Sequence, residues 1–210
     1  MYSHTKVTFM HSTQPVVSQV RRVLPFDTNH LAVVVDCTSF HPVSPIWSDH
    51  PADRGTLTVN GQSYDITQCL MGVIEQESGL LYIGSAIPVK RDTSGWAWVV
   101  VHVIDACAQI QEQDQVSLTV DADYQYSLSC GHSAGHLAYL ALNKVLTTQG
   151  YWRKAAERKD PHGNYDFNSY AQQTSQITPY CCTDTYRLGK TLRKRCLLYT
   201  SDAADDCWSV

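Results

Sequence analysis

No apolar run in the 210 residues approaches the roughly 18–20 positions a membrane-spanning helix needs. The opening stretch, MYSHTKVTFMHSTQPVV, has no basic segment leading into an apolar one. A secretory leader is therefore not expected, and the expected location is the cytoplasm. None of the eight cysteines stands in a Cys-x-x-Cys pair, which removes the usual zinc-knuckle pattern. In a reducing compartment they are expected to be free thiols. Internal repeats and low-complexity segments are absent too. Charged residues make up only 17% against 43% apolar, a globular balance with enough chain for a real core.

The net charge of −4 hides an uneven spread. Residues 1–150 hold 7 Lys+Arg against 13 Asp+Glu, whereas residues 151–195 hold 9 against 4. The segments YWRKAAERKD and YRLGKTLRKR carry most of that positive block. Such runs are usually solvated faces, but these two could also meet phosphates. The stretch CLLYTSDAAD, Cys196–Asp205, fits neither pattern nor neighbours. Codon by codon it is consistent with a translated transposon-end sequencing adapter, so residues 196–210 are expected to be a foreign tail.

The first 120 residues read as β structure. HLAVVVDCT, GLLYIGSAI, GWAWVVVHVID and QVSLTVDAD are β-branched or alternating runs. GTLTVNGQSYDIT alternates across Asn60-Gly61, a strong short hairpin signal. Pro42, Pro45 and Pro51 make residues 41–53 a loop. Short strands at this spacing predict a small barrel or sandwich. The pattern changes at Asp121 and Asp123, either of which can cap a helix. Leu137, Leu140, Ala141 and Val145 then form a helical stripe, and Gly150 closes it. Further helical pieces are expected around YWRKAAERKD, stopped by Pro161, and in DFNSYAQQTSQITPY. The expected fold class is α+β, with a β domain at 1–119 and an α+β domain at 120–195.

Within SCGHSAGHLAYL, His132 and His136 stand four apart, one turn along one helical face. Two such imidazoles can bind one metal ion, though His-x-x-x-His alone is a weak signal. No glutamate lies between them, so this is not the His-Glu-x-x-His pattern of zinc proteases. Leu140 on the same face would place the pair against the core. Gly131, Ser133, Ala134 and Gly135 would leave room for a substrate. Cys181-Cys182 is the nearby thiol pair, and at most one of the two can join a site, because neighbours on an extended segment face opposite ways. His102, in mid-strand, reads as a core histidine.

His132-Ser133-Ala134-Gly135-His136-Leu137 resembles the His-Thr-Ala-x-His-Leu motif of the alanyl-tRNA editing family. That family comprises free-standing relatives of the editing domain of alanyl-tRNA synthetase. TSFHPVSPIWSDHPADRGTL (38–57) is similar to its Thr-x-Phe-x-Pro loop ending in Asp-x-Gly. VVVHVID (99–105), DQVSLTVDADYQYSLS (114–129) and TDTYRLGKTLRKR (183–195) resemble further segments in the same order. There are departures. The family's Gly-Gly-Gln is missing, Gln125 stands where arginine is common, and Ser133 replaces threonine.

The resemblance implies a translation-factor-like β-barrel followed by an α+β editing domain without its C-terminal part. It implies zinc-dependent hydrolysis of the ester in tRNA(Ala) mischarged with serine or glycine. His132 and His136 match two zinc ligands and would act through a zinc-bound water. The other two belong, in the family, to a later Cys-x-x-x-His segment, and none follows His136 here. Ser133, Asp53 and Gly55 are the candidates near the substrate. Arg153, Lys154, Arg158, Arg193 and Lys194 are candidates for tRNA phosphates. No membrane or DNA partner is expected. The rival readings are a non-catalytic tRNA-binding module and a zinc hydrolase of another small ester or amide.

Overall fold

The computed structural model describes residues 2–9, 14–44, 49–187, 189–193 and 207–209. The chain forms two compact units, residues 1–126 and 127–210. Among the described residues, no helix is long and apolar enough to cross a membrane.

The first unit holds β1 (Lys6–Val7), β2 (Val16–Pro25), β3 (His30–Val35), β4 (Cys37–Thr38), β5 (Gly55–Val59), β6 (Gln62–Asp65), β7 (Gln68–Glu75), β8 (Leu81–Ile83), β9 (Trp96–Asp105) and β10 (Gln115–Val120). Eight of these form one antiparallel sheet in the order β6-β5-β10-β2-β3-β9-β7-β8, while β1 and β4 pair separately in parallel. Among the described residues β6 and β8 remain the two edges. The first unit is thus built on a mostly antiparallel sheet, where the sequence pattern pointed to a small barrel or sandwich and the resemblance to a barrel; between β6 and β7 the chain bonds on to both neighbours, Ile66 N–H donating to Gly55 O and Thr67 N–H to Val103 O, each at 2.9 Å.

Alternation explains the core. Val33 and Val35 of β3 join Val20, Phe40, Leu57, Ile104 and Leu118 in one cluster. Ala32 and Val34, facing the other way, join Ile74, Val99, Val101 and Val103 in a second. The Asn60-Gly61 turn is as expected, with φ of 51° and 79°, the two positive angles a tight hairpin requires. Of the longer strands of this unit, two escaped the sequence reading for local reasons. β2 is interrupted by a bulge between Val20 and Arg22, which breaks its period. β7 carries Gly72, a residue depleted in strands, because a β-carbon there would lie 2.9 Å from Val101 Cγ2.

Helix α1 (Ala122–Thr148) begins where the aspartates predicted and runs through the histidine motif. Asp121 is its cap, its Oδ1 accepting from Tyr124 N at 2.9 Å. Its end is a Schellman motif. Gly150 has φ +66°, its N–H donates to Thr147 O, and Tyr151 N–H donates to Leu146 O.

In the second unit follow α2 (Phe167–Ala171), β11 (Gln172–Thr178), β12 (Cys181–Arg187) and β13 (Cys207–Ser209), with strand order β11-β12-β13. Apart from β13, the expected tail of residues 196–210 lies outside the described residues. The stretch 151–160 is irregular rather than helical, held by isolated bridges Trp152↔Leu192 and Lys159↔Tyr165. Long-range pairing overrides its helical composition. DFNSYAQQTSQITPY is helical only over five residues before β11 takes over, as its β-branched Thr174, Ile177 and Thr178 favour. Leu146, Trp152, Phe167, Ala171, Tyr186 and Leu192 form the core of this unit.

Candidate functional site

The buried side of α1 in the second unit is not the stripe the sequence pattern indicated. Leu128, Gly131 and Leu146 are buried, with Gly135, Tyr139 and Leu142 half-buried between them. Leu137 is 69% exposed and Val145 46%. The two glycines set this choice. A β-carbon at Gly131 would lie 2.6 Å from Cys181 O and 2.7 Å from Thr178 O. One at Gly135 would lie 2.6 Å from Cys182 Sγ. The β11–β12 hairpin therefore seats directly on the helix backbone. The space at these glycines, expected to receive a substrate, is filled by the protein itself.

On the side away from that seat stand His132, Ser133 and His136, all exposed rather than set against the core. The two imidazoles stack with ring centroids 4.6 Å apart, and their Nε2 atoms approach to 2.7 Å. Tyr139 packs edge-on against His136 at 5.7 Å. The two nitrogens stand side by side at hydrogen-bonding distance on one face of the helix. A tetrahedral zinc ion with Zn–N bonds of 2.0–2.1 Å holds its nitrogens about 3.3 Å apart, so the rings would have to open slightly. Catalytic zinc takes three protein ligands, and among the described residues no group of three or more His, Cys, Asp or Glu side chains could hold a metal. The described residues supply two donors and do not complete a zinc site.

The thiols nearest the helix are placed by the hairpin. Cys182 is half-buried against Gly135, with Ser175 Oγ at 3.8 Å, and burial pushes its thiol pKa up. That favours the neutral thiol, a poorer ligand than a thiolate. Cys181 points the other way and is exposed.

The basic segments meet in the fold. Arg153 N–H donates to Thr191 O and Arg193 N–H to Tyr151 O, flanking the Trp152↔Leu192 bridge. Trp152 and Leu192 point into the core, so alternation turns Arg153 and Arg193 to the outer face, where both are exposed. Lys154 and Arg158 are exposed as well, while Lys194 lies outside the described residues. Arg158 is carried by a loop fixed from below. Asp160 accepts from His162 N and Asn164 N at 2.9 Å, and fully buried Asn143 of α1 donates to Asp160 and accepts from Phe167 N. Lys159, Arg187 and Lys190 add exposed charge to the unit.

Asp53 and Gly55 belong to the first unit. Asp53 is 3% exposed; its Oδ2 accepts from His41 N at 2.6 Å and from Gln125 Nε2. Its Oδ1 is buried with no hydrogen-bond partner among the described residues. Desolvation by burial raises its pKa, outweighing those two bonds. Gln125, standing where arginine is common in the resembling family, brings a donor but no charge. Gly55 pairs with Val120 of β10, and a β-carbon there would lie 2.1 Å from Thr119 O.

A folded-state pKa above the unfolded one means that the ionised carboxylate weakens folding above that pKa, and that the penalty fades as pH falls toward the unfolded value. Asp53→Asn is accordingly expected to raise the melting temperature at pH 7, with the gain shrinking as pH is lowered toward 4. Thermal melts of both proteins across that range check this, and a gain that grows on acidification would contradict it.

His102 is a core residue. It is 0% exposed, and its Nδ1 faces Val33 O at 3.4 Å, which fixes the proton on Nδ1. Nε2 then accepts from the Thr38 hydroxyl at 2.9 Å. Burial holds its pKa down at about 4, so it stays neutral.

No family model matches the chain. It is 28% identical over 159 residues to the alanyl-tRNA editing protein AlaX-M of Pyrococcus horikoshii. The resemblance to alanyl-tRNA editing proteins is shown. The match covers 72% of this chain but 58% of the relative, so the chain spans little more than half of that protein's length.

Proposed function

We propose that the protein is a trans-editing deacylase, hydrolysing the ester that joins serine or glycine to tRNA(Ala). The observation that carries this reading is the pairing of His132 and His136 Nε2, 2.7 Å apart on one helix face, in a chain similar to an alanyl-tRNA editing protein. The metal in this reading is zinc. His132 and His136 are two of its ligands, and the rest come from a Cys-x-x-x-His segment that does not occur after His136 in residues 1–210. A bound zinc ion supplies Lewis acidity and an acidified water to such a hydrolysis. The protein's own side chains bind and position. The exposed Ser133 hydroxyl contacts the serine side chain, and a site built around a hydroxyl rejects an amino acid without one. Asp53 and Gly55 shape their loop for the substrate. Arg153, Lys154, Arg158, Arg193 and Lys194 meet tRNA phosphates.

The test is release of serine from seryl-tRNA(Ala) by a zinc-loaded chain that also carries such a Cys-x-x-x-His segment. Absence of any release above the buffer rate would refute the reading.

A second reading, a tRNA-binding module without catalysis, is favoured by the bridge that unites the two basic segments, while among the described residues no group of three or more donors could hold a metal. Either reading requires salt-sensitive tRNA affinity. Replacing Arg153 and Arg193 together by alanine is expected to lower the slope of log affinity against log salt by about 2, near one unit per lost phosphate contact. Filter binding at several salt concentrations measures it, and an unchanged slope would remove these residues from the interface.

A further inference from the structure

The β11–β12 hairpin turns through Thr178-Pro179-Tyr180-Cys181, with Thr178 and Cys181 paired across its base. Tyr180 has φ +59°. A β-carbon makes that left-handed conformation unfavourable, and glycine or asparagine usually occupies the third place of such a turn. Among the described residues the other non-glycine positions with positive φ are Asn60, Asp92 and Gln113, all polar. Nor does the core use the ring, since Tyr180 is 67% exposed.

The backbone beneath it is clamped. Tyr180 N–H donates to Ser127 O at 2.8 Å, and the same turn rests on Gly131, the residue before His132. A rigid turn therefore holds a bare phenol ring beside the helical turn that leads into the histidine pair. Backbone strain of this kind persists only where the surroundings enforce it, as the Ser127 bond and the Gly131 seat do here, and it clusters at ligand sites. A solvent-facing aromatic on a fixed support, in a unit rich in exposed arginine and lysine, suits one ligand chemistry in particular. That chemistry is an unstacked nucleobase, whose π-face any aromatic ring can cover while the cations hold its backbone.

We propose that Tyr180 is a stacking platform for a base at the single-stranded 3′ end of the RNA partner. The proposal rests on the tRNA reading above and makes Tyr180 a positioning residue for the acylated end.

The experiment compares wild type, Tyr180→Gly and Tyr180→Phe, each as the full 210-residue chain. The probes are an RNA minihelix ending in single-stranded CCA and the same RNA with abasic 3′-terminal nucleotides. Tyr180→Gly is expected to bind the CCA-ended RNA about tenfold more weakly or worse, while Tyr180→Phe stays near wild type, as stacking is lost or kept. On the abasic RNA all three proteins are expected to bind alike. Tyr180→Gly is also expected to melt at a higher temperature, because glycine relieves the turn, which separates lost binding from lost folding. Equal binding of the CCA-ended RNA by Tyr180→Gly and wild type overturns the stacking role alone. So does an equal loss on the abasic RNA. A wild-type chain that binds neither RNA overturns the RNA reading and this proposal with it.

Discussion

Gly131→Ala is expected to destabilise the second unit by at least about 2 kcal/mol, although alanine is the better helix former. The added methyl would lie 2.6–2.7 Å from two backbone carbonyl oxygens, Cys181 O and Thr178 O. Backbone atoms in a paired hairpin cannot step aside singly, so the hairpin must lift from the helix. Overpacking costs about 1–3 kcal/mol where side chains can adjust, and more where they cannot. The gain in helix propensity, about 1 kcal/mol, does not offset that. Gly135→Ala is the contrasting control. Its methyl meets the Cys182 side chain, which can shift, so the variant is expected to stay within about 1 kcal/mol of wild type. Denaturant unfolding of the three proteins decides the matter. Equal stability for Gly131→Ala and wild type would mean that the hairpin does not seat on this glycine. The same change should disturb the turn at Tyr180 and the basic bridge, because both belong to the unit this seat holds together.

The second large effect is expected at the histidines. His136→Ala removes one of two nitrogens that meet at 2.7 Å. Changes to groups that only orient a metal ligand typically cost 10–100-fold, so loss of a ligand itself should reduce deacylation by more than about 100-fold. His132→Ala should do the same, and the double variant should add little, since one missing ligand already empties the site. Both histidines are exposed and outside the core clusters, so neither change should lower the melting temperature appreciably. That separates a chemical role from a structural one. Full turnover in His136→Ala, with normal zinc content, would refute the assignment.

The features legible from sequence are those written in short-range chemistry. Asn60-Gly61 specifies its own turn, and Asp121 and Gly150 mark the ends of α1 through bonds that span a few residues. The histidine spacing reads directly, because an α-helix places positions four apart on one face. What could not be read depends on distant partners. The buried stripe of α1 was misplaced because Leu137 and Val145 look like core, whereas the hairpin selects the side bearing Gly131 and Gly135. A glycine reads as a weak helix residue until the backbone that needs its missing side chain is in view. The segment 151–160 looks helical by composition, yet Trp152 pairs with Leu192, forty residues on. That pairing is also what joins Arg153 to Arg193, so the basic face is a product of the fold rather than of either segment. The burial of the Asp53 carboxylate was likewise invisible, because its hydrogen bonds come from residues 41 and 125.

The central claim is that the histidine pair of α1 belongs to an ester-hydrolysing centre for mischarged tRNA. The most direct measurement is the rate at which labelled serine leaves seryl-tRNA(Ala) with zinc present. It should be made on a chain that also carries a Cys-x-x-x-His segment after His136 and on its His136→Ala variant. The account predicts rapid release by the first and a fall of more than about 100-fold in the second. Tight tRNA binding with no release by either would contradict it and leave the protein a binding module.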